Sequence, residues 1–184
     1  MQNFQSFDLP ARLKDAAGEV RRVKSLVGTA MMAALNLVLN QFTIAVSQFL
    51  EIGFAFLATA VAGYLYGPVL AGLMGIVTDT LGWFLRPNGA YMPFWAINEF
   101  LLGFIYGCFF YKKKVTLPRT LAACLCSAAL INLCLTPLWL HLQYGNAFVL
   151  TSVRLIKNII KLPLDTALLY ALLKMVEQRR KNLL

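Results

Sequence analysis

The sequence predicts an all-α membrane protein with six transmembrane helices, and two observations carry this prediction. Hydrophobic residues make up 59% of the 184 residues, whereas charged residues make up only 14%. Soluble domains carry roughly a quarter charged residues, so a soluble chain of this composition would lack the polar surface to cover its core. A spanning helix needs about 20 apolar residues, so six such helices would use nearly the whole chain.

Six apolar stretches, separated by polar or turn-forming residues, define the elements in order. The predicted helices cover approximately residues 25–46, 52–66, 69–85, 93–111, 119–141 and 148–176. A loop over residues 47–53 separates the first two helices, Gly67-Pro68 ends the second, and the turn signal Arg86-Pro87-Asn88-Gly89 ends the third. Pro163 predicts a kink or a break in the sixth helix. We expect an N-terminal segment 1–24, one membrane domain over 25–178 and a basic tail 179–184.

The distribution of lysine and arginine predicts the orientation. Three basic clusters are present: Arg12, Lys14, Arg21, Arg22 and Lys24; Lys112, Lys113, Lys114 and Arg119; and Lys174, Arg179, Arg180 and Lys181. Cytoplasmic loops hold an excess of such residues. Four helices separate the first cluster from the second and two separate the second from the third, so all three can share one side. The sequence therefore predicts cytoplasmic N- and C-termini in a multi-pass protein of the lipid bilayer. No nucleic-acid-binding motif is present, so the net charge of +9 does not indicate a nucleic-acid partner.

Four basic residues lie outside these clusters: Arg86, Arg154, Lys157 and Lys161. The last three have i, i+3, i+7 spacing and share one helical stripe, with Asn158 next to it. A charge at membrane depth is costly and usually faces a cavity, a partner or a ligand. The stripe favours a solute that bears carboxylates. Alternatively, Lys161 pairs with Asp165 at i+4 and Arg154 extends to the outer interface.

Aromatic residues gather at the predicted outer helix ends. They are Trp83, Phe84, Tyr91, Phe94, Trp95 and Trp139. One interpretation is an interfacial aromatic belt. All three tryptophans fall on the outer side, which favours instead a pocket that holds a flat ring between aromatic side chains.

Other polar residues lie within the predicted helices. Asn36 and Asn40, and likewise Asn132 and Thr136, have i, i+4 spacing, for which hydrogen bonds between helices are the default expectation. Asp79 and Glu99 are either structural partners or proton or ion sites, and the role of His141 is undefined.

Small residues on the first helix are a separate feature. Ala30 and Ala34 have i, i+4 spacing, and such faces let helices approach closely. The face either packs inside this protein or docks another membrane protein.

Sequence signatures of catalysis are absent. The chain contains no G-x-x-x-x-G-K-[ST] motif for ATP hydrolysis, no H-E-x-x-H and no G-x-S-x-G. The cysteines, Cys108, Cys124, Cys126 and Cys134, lack zinc-site spacing and are interpreted as packing residues. We therefore expect no enzyme activity, no metal and no cofactor.

Three stretches together resemble the substrate-binding subunits, or S components, of energy-coupling factor (ECF) vitamin transporters. The first is Glu51-Ile52-Gly53-Phe54-Ala55-Phe56, followed by Tyr66-Gly67-Pro68 and Gly72-x-x-Gly75-x-x-x-Asp79. The second, Pro87–Phe94 with Gly103-Phe104-Ile105-Tyr106-Gly107, and the third, Arg154–Pro163, are similar to the folate-specific branch. The second stretch departs from the branch, in which glycine usually follows the proline, whereas here Phe94 follows Pro93.

The resemblance implies a six-helix bundle in a bacterial plasma membrane, with a site near the outer face for folate or a related vitamin. It implies that the ring is held by Tyr91, Phe94, Trp95 and Trp83, that the carboxylates meet Arg86, Arg154, Lys157 and Lys161, and that Asn98 and Asn158 bind the pterin edge. It also implies a transmembrane coupling protein and two cytoplasmic ATPases as partners, with Ala30 and Ala34 on the docking helix. Pantothenate or biotin as the substrate, or a membrane scaffold without a solute, are the alternatives.

Overall fold

The chain folds mainly into helices, in a computed structural model that describes residues 9–42, 44–47, 50–85, 87, 92–144 and 148–182. The elements are α1 (Leu9–Glu19), α2 (Val23–Gln41), β1 (Ile44–Ser47), β2 (Leu50–Ile52), α3 (Ala55–Tyr66), α4 (Pro68–Leu85), α5 (Phe94–Phe110), α6 (Leu117–Ser127), the π-helical segment Ala128–Leu135, α7 (Thr136–Tyr144) and α8 (Phe148–Asn182). The predicted helical class is therefore confirmed, with one short hairpin added.

Three described helical runs have the length and composition needed to cross a membrane. They are Val23–Gln41, Pro68–Leu85 and Leu117–Trp139. Two further apolar helices are shorter, because α3 has 12 residues and α5 has 17. Large apolar side chains lie exposed on the outside of α2, including Met31 at 66% and Val27 at 55%. Apolar side chains on the outside are what a surrounding bilayer accepts.

The first predicted helix is too long at its C-terminal end. Helix α2 ends at Gln41 rather than at Val46, and β1 follows it. The predicted loop over residues 47–53 is also wrong in part, because β1 and β2 form an antiparallel hairpin that pairs Ile44 with Ile52 and Ala45 with Glu51. The β-branched residues in this stretch suit a pleated strand better than a helix.

The fifth predicted helix is one continuous helical run with an internal change of winding. Helix α6, the π-helical segment and α7 follow one another without a break, and the junction residues Ser127 and Thr136 keep helical backbone angles. π-Helical turns are rare and occur frequently at functional sites. This segment contributes Ala128, Ile131 and Asn132 to the cavities described below.

Helix α8 is continuous across Pro163, so of the predicted kink or break, the break does not occur. A proline removes one backbone hydrogen bond, and helices with neighbours on several sides tolerate this loss. Leu169 and Leu173, in the half of α8 after the proline, are fully buried in the main hydrophobic core. Packing of these leucines in the core thus stabilises α8 although Pro163 disfavours a continuous helix.

Glycines bring α3, α4 and α5 into backbone contact. A Cβ atom at Gly103 would lie 2.3 Å from the Ala71 carbonyl oxygen, and one at Gly107 would lie 2.2 Å from Pro68 Cα. A Cβ at Gly75 would lie 2.3 Å from the Glu99 carbonyl oxygen. Small residues allow this close approach between helices in membranes. A Cβ atom at Gly63, on α3, would likewise lie 2.8 Å from the backbone nitrogen of Gly107, so the three helices pack backbone to backbone.

The N-terminal segment contains a helix that the sequence patterns did not predict. The side chain of Ala16 in α1 is fully buried and packs against Gly67, whose φ of +91° makes the α3–α4 turn possible. Lys112 Nζ lies 3.0 Å from Asp15 Oδ2. Because Arg180 near the end of α8 lies 5.9 Å from the Tyr64 ring, both ends of the described chain meet at one end of the bundle.

Candidate functional site

A cavity of about 260 Å³ opens at the opposite end of the bundle, where α3 and α5 begin. Side chains from α3, α5, the π-helical segment and α8 converge on it. Its apolar wall includes Phe56, Leu102, Tyr106 and Ile131, and its polar wall comprises Asn98, Glu99, Ser127, Asn132, Lys161 and Asp165. Ligand sites are typically concave and mostly apolar, with a few polar groups that converge. This cavity is therefore the candidate site.

A second cavity of about 120 Å³ adjoins the first. The two share Tyr106, Ser127, Asn132, Lys161 and Asp165, and the smaller one adds Asn158 and Cys124. A single ligand that fills the first cavity and reaches past Lys161 would enter the second.

Lys161 and Asp165 form an ion pair across one turn of α8. Lys161 Nζ lies 3.7 Å from Asp165 Oδ2, and the two side chains are 24% and 22% exposed. Lys161 Nζ also lies 6.0 Å from the centroid of the Phe56 ring. The alternative that Lys161 pairs with Asp165 is thus observed. Lys161 nevertheless also lines both cavities.

Two buried polar atoms next to this pair lack hydrogen-bond partners among the described residues. They are Asn158 Nδ2 and Asp165 Oδ1. Buried polar atoms are nearly always paired, and an unpaired one often marks a place for water or a ligand. The smaller cavity therefore presents one unmet donor and one unmet acceptor.

An aromatic pair lies beside Asn98. The rings of Phe94 and Trp139 stack with centroids 4.7 Å apart and planes 14° apart. Trp139 Nε1 donates a hydrogen bond of 3.0 Å to Asn98 Oδ1, and Asn98 itself is buried. Asn98 Nδ2 in turn lies 3.5 Å from Thr136 Oγ1. The asparagine is thereby oriented by α7 before any ligand arrives.

The structure brings together some predicted site residues and separates others. Asn98, Asn158 and Lys161 lie in the cavity walls, and Phe94 stands next to Asn98 through Trp139. Trp83 and Trp95 line neither of these two cavities, and Trp83 instead lies edge-on to Phe84. Arg86 and Tyr91, and the side chains of Arg154 and Lys157, lie outside the described residues.

Several residues near the site had been given no binding role by the sequence, among them Glu99, Tyr106, Asn132, Trp139 and Asp165. Polarity within an apolar helix is a signal for Glu99, Asn132 and Asp165, and position at a helix end is a signal for Trp139. Tyr106 has no such signal, because a tyrosine in an apolar helix is ordinarily a packing residue.

Two other sequence predictions can be placed on the structure. Asn36 Nδ2 donates to the Ala55 carbonyl oxygen at 2.9 Å and to Thr59 Oγ1 at 3.0 Å, which confirms the expected bond between helices. Ala30 and Ala34 are exposed on α2 rather than buried inside the bundle. The described part of this chain therefore does not bury the face that carries these two alanines.

Comparison with known proteins gives a consistent family. Residues 24–173 match the family described as ECF transporter, substrate-specific component. The folate transporter FolT of Clostridium novyi (strain NT) is 36% identical over 160 residues, covering 86% of this chain and 93% of that protein. The folate transporter FolT of Leuconostoc mesenteroides is 26% identical over 157 residues, covering 82% of this chain and 84% of that protein.

A solved structure agrees with this grouping. A crystal structure of FolT bound with folic acid superposes with a TM-score of 0.74 at 38% identity, covering 82% of this chain and 92% of that one. The family resemblance predicted from the three sequence stretches is confirmed. The family is a transporter component and not an enzyme, and this chain belongs to the substrate-specific components of ECF transporters.

Proposed function

We propose that this chain binds folate in the cavity between α3, α5, the π-helical segment and α8, as the substrate-binding subunit of an ATP-driven uptake system. The observation that carries the proposal is the cavity with its apolar and polar walls. It occurs in a chain that is 38% identical to a FolT whose crystal structure holds folic acid. Folate combines a flat bicyclic ring with two carboxylates, and the cavity combines apolar walls with a lysine. The chemistry of the ligand and that of the walls match in kind.

The ring occupies the cavity between the apolar side chains of Phe56, Leu102 and Tyr106. The described walls enclose about 260 Å³, close to the lower end of the roughly 300–1,000 Å³ common for small-molecule sites. The stacked pair Phe94 and Trp139 forms a flat apolar surface beside it. Trp83 and Trp95, which line neither cavity, have no role in ring binding in this proposal.

The glutamate carboxylates of folate extend toward the start of α8. Lys161 is partly neutralised by Asp165 at 3.7 Å, so it contributes less positive potential than an isolated lysine. Lys157 lies about one turn before Lys161 on the same helix and Arg154 about two turns before it, at the i, i+3, i+7 spacing that gives one stripe. We assign the carboxylates mainly to these two residues and to Arg86, because an arginine can bind a carboxylate through two parallel hydrogen bonds.

In the bilayer, six helices span the membrane, and the end that carries α1 and Arg180 faces the cytoplasm. The location of Lys112 and the basic end of α8 at this end supports the assignment, since cytoplasmic segments are enriched in lysine and arginine. The cavity then faces the outside of a bacterial cell, as uptake requires.

The exposed face of α2 docks the transmembrane coupling protein, which connects the subunit to two cytoplasmic ATPases. Ala30 and Ala34 are exposed there among larger apolar side chains. A face of small residues lets a second helix approach closely. Replacing Ala34 with leucine would block this approach, and Ala34 lines neither cavity.

The test is folate binding by the purified chain in detergent, measured by titration calorimetry and by thermal shift. Folic acid should raise the melting temperature, because a ligand that binds only the folded state stabilises it. Arg154→Ala should weaken binding at least tenfold, whereas Arg179→Ala, in the basic tail, should bind as the wild type does. A wild-type chain stabilised by pantothenate or biotin instead of folic acid would overturn the substrate, and a chain stabilised by none of the three would overturn the binding function.

A further inference from the structure

We propose that Glu99 determines specificity for the pterin ring, by accepting two hydrogen bonds from its amino-pyrimidinone edge. This inference rests on the proposed folate function and names the side chain that selects the ring. It assigns a role to the Glu99 carboxyl group, which has no hydrogen-bond partner among the described residues.

Glu99 is held in place by the helix packing around it. Its carbonyl oxygen lies where a Cβ atom at Gly75 would be 2.3 Å away, so α4 presses directly on the backbone at this residue. The preceding residue, Asn98, is oriented by Trp139 and Thr136. The side chain of Glu99 therefore projects into the cavity from a backbone position that two neighbouring elements determine.

The carboxyl group of Glu99 has no hydrogen-bond partner within the described part of the chain, although it lines the 260 Å³ cavity. The lysine of the same wall, Lys161, is already engaged with Asp165 at 3.7 Å. The remaining acidic neighbour, Asp79 on α4, repels a negative charge rather than compensating it. An acidic group at membrane depth without a partner is costly, and such groups are retained where they serve a ligand.

The amino-pyrimidinone edge of a pterin supplies what Glu99 lacks. It presents a ring N–H and an exocyclic amine side by side, and both are donors. Two parallel donors match the two oxygens of a carboxylate in the way a guanidinium does. The unpartnered Asn158 Nδ2, in the adjoining cavity, offers a donor for the ring carbonyl oxygen. A ring without this pattern would leave these groups unsatisfied, which is a strong basis for selectivity.

The experiment compares two ligands on three proteins. Wild type, Glu99→Gln and Asp79→Asn are each titrated with folic acid and with its analogue that lacks the 2-amino group. Glu99→Gln should weaken folic acid binding at least tenfold and change binding of the analogue less than threefold, because the analogue cannot use the second acceptor. Asp79→Asn is the matched control: it removes a neighbouring acid that lines neither cavity, and it should not weaken the binding of either ligand more than threefold.

The outcomes separate this inference from the proposed function. A wild-type chain that does not bind folic acid overturns the function. A wild-type chain that binds it, together with a Glu99→Gln variant of unchanged affinity or with equal losses for both ligands, overturns the role of Glu99 alone. If Glu99→Gln does not fold, the test is the wild-type protein alone, which should bind folic acid at least tenfold more tightly than the analogue. Equal affinity of the wild type for the two ligands overturns the inference.

Discussion

The indole nitrogen of Trp139 donates a hydrogen bond to the amide oxygen of Asn98, 3.0 Å away, and so connects α7 to α5 at the edge of the cavity. The indole also stacks on Phe94. One side chain thus fixes both the polar wall and the aromatic surface of the site. If ligand binding depends on this arrangement, small changes at Trp139 should affect it without unfolding the protein.

Replacing Trp139 with phenylalanine keeps the stacking and removes the hydrogen bond. A hydrogen bond of this kind contributes about 1 kcal/mol net, so folic acid affinity should fall about fivefold. Titration calorimetry on Trp139→Phe, Asn98→Ala and the double variant measures the coupling. Residues in direct contact should show a coupling energy of roughly 0.5–3 kcal/mol, and strictly additive losses would contradict the connection.

Removing the lysine of the α8 ion pair should destabilise the protein more than removing both partners. Lys161→Met leaves the largely buried Asp165 carboxyl group without its counter-ion, and breaking a buried pair on one side costs up to roughly 3–5 kcal/mol. The double variant Lys161→Met/Asp165→Leu leaves no unpaired charge and should recover most of that loss. Thermal unfolding in detergent measures both. A double variant less stable than the single one would show that the pair itself, and not the orphaned acid, supplies the stability.

The same two variants separate stability from binding. The double variant should still bind folic acid more weakly than wild type, since the cavity loses its ammonium group. If the double variant recovered both stability and full affinity for folic acid, Lys161 would have no role in binding.

Close packing between α4 and α5 should be sensitive to a single methyl group. A Cβ at Gly103 would approach the Ala71 carbonyl oxygen to 2.3 Å, whereas one at Gly18 in α1 would meet nothing within 4 Å. Overpacking costs about 1–3 kcal/mol, so Gly103→Ala should lower the melting temperature by roughly 2–12 °C. Gly18→Ala is the matched control and should be neutral or slightly stabilising, because alanine favours a helix over glycine. Equal melting temperatures for the two variants would contradict the close approach.

The pair between Lys112 and Asp15 should make a small contribution that depends on pH. The hydrogen bond that Lys112 donates to the Asp15 carboxylate raises the pKa of Lys112 above its usual 10.5. A lysine with a raised pKa in the folded state stabilises the protein below the pKa of the unfolded state and loses that contribution as pH rises through the folded value. Both side chains are at least half exposed, so solvent screening limits the effect of Asp15→Asn to less than about 1 kcal/mol at pH 7.

Stability curves at pH 7 and at a pH above the Lys112 pKa measure this effect. The difference between wild type and Asp15→Asn should shrink at the higher pH. A stability difference between wild type and Asp15→Asn that grew with pH would contradict a stabilising pair between Lys112 and Asp15.

Sequence patterns predicted the helices well and the chain reversals less well. Long apolar runs gave α4 and α5 to within one residue of their observed limits. The hairpin was missed because its strands have only four and three residues, too few for an alternating pattern to stand out beside an apolar helix. The π-helical segment was missed because its composition is that of any apolar helix.

The site was predictable along single helices and not between them. The i, i+4 spacing of Lys161 and Asp165 was enough to anticipate their pairing. The convergence of Glu99, Asn132 and Asp165 depends on how far each helix slides past its neighbours, and glycine contacts such as Gly103 on Ala71 set that position. The roles of Arg86, Tyr91, Arg154 and Lys157 stay predictions.

The shortness of α3 bears on how far a bound molecule must travel. Its 12 residues rise only about 18 Å at 1.5 Å each, against a hydrocarbon layer of about 30 Å. The cavity lies where this helix starts, so about 18 Å of helix separates it from the turn at Gly67. In the proposed orientation, a solute held in the cavity would therefore be separated from the cytoplasmic end of α3 by less than the thickness of the hydrocarbon layer.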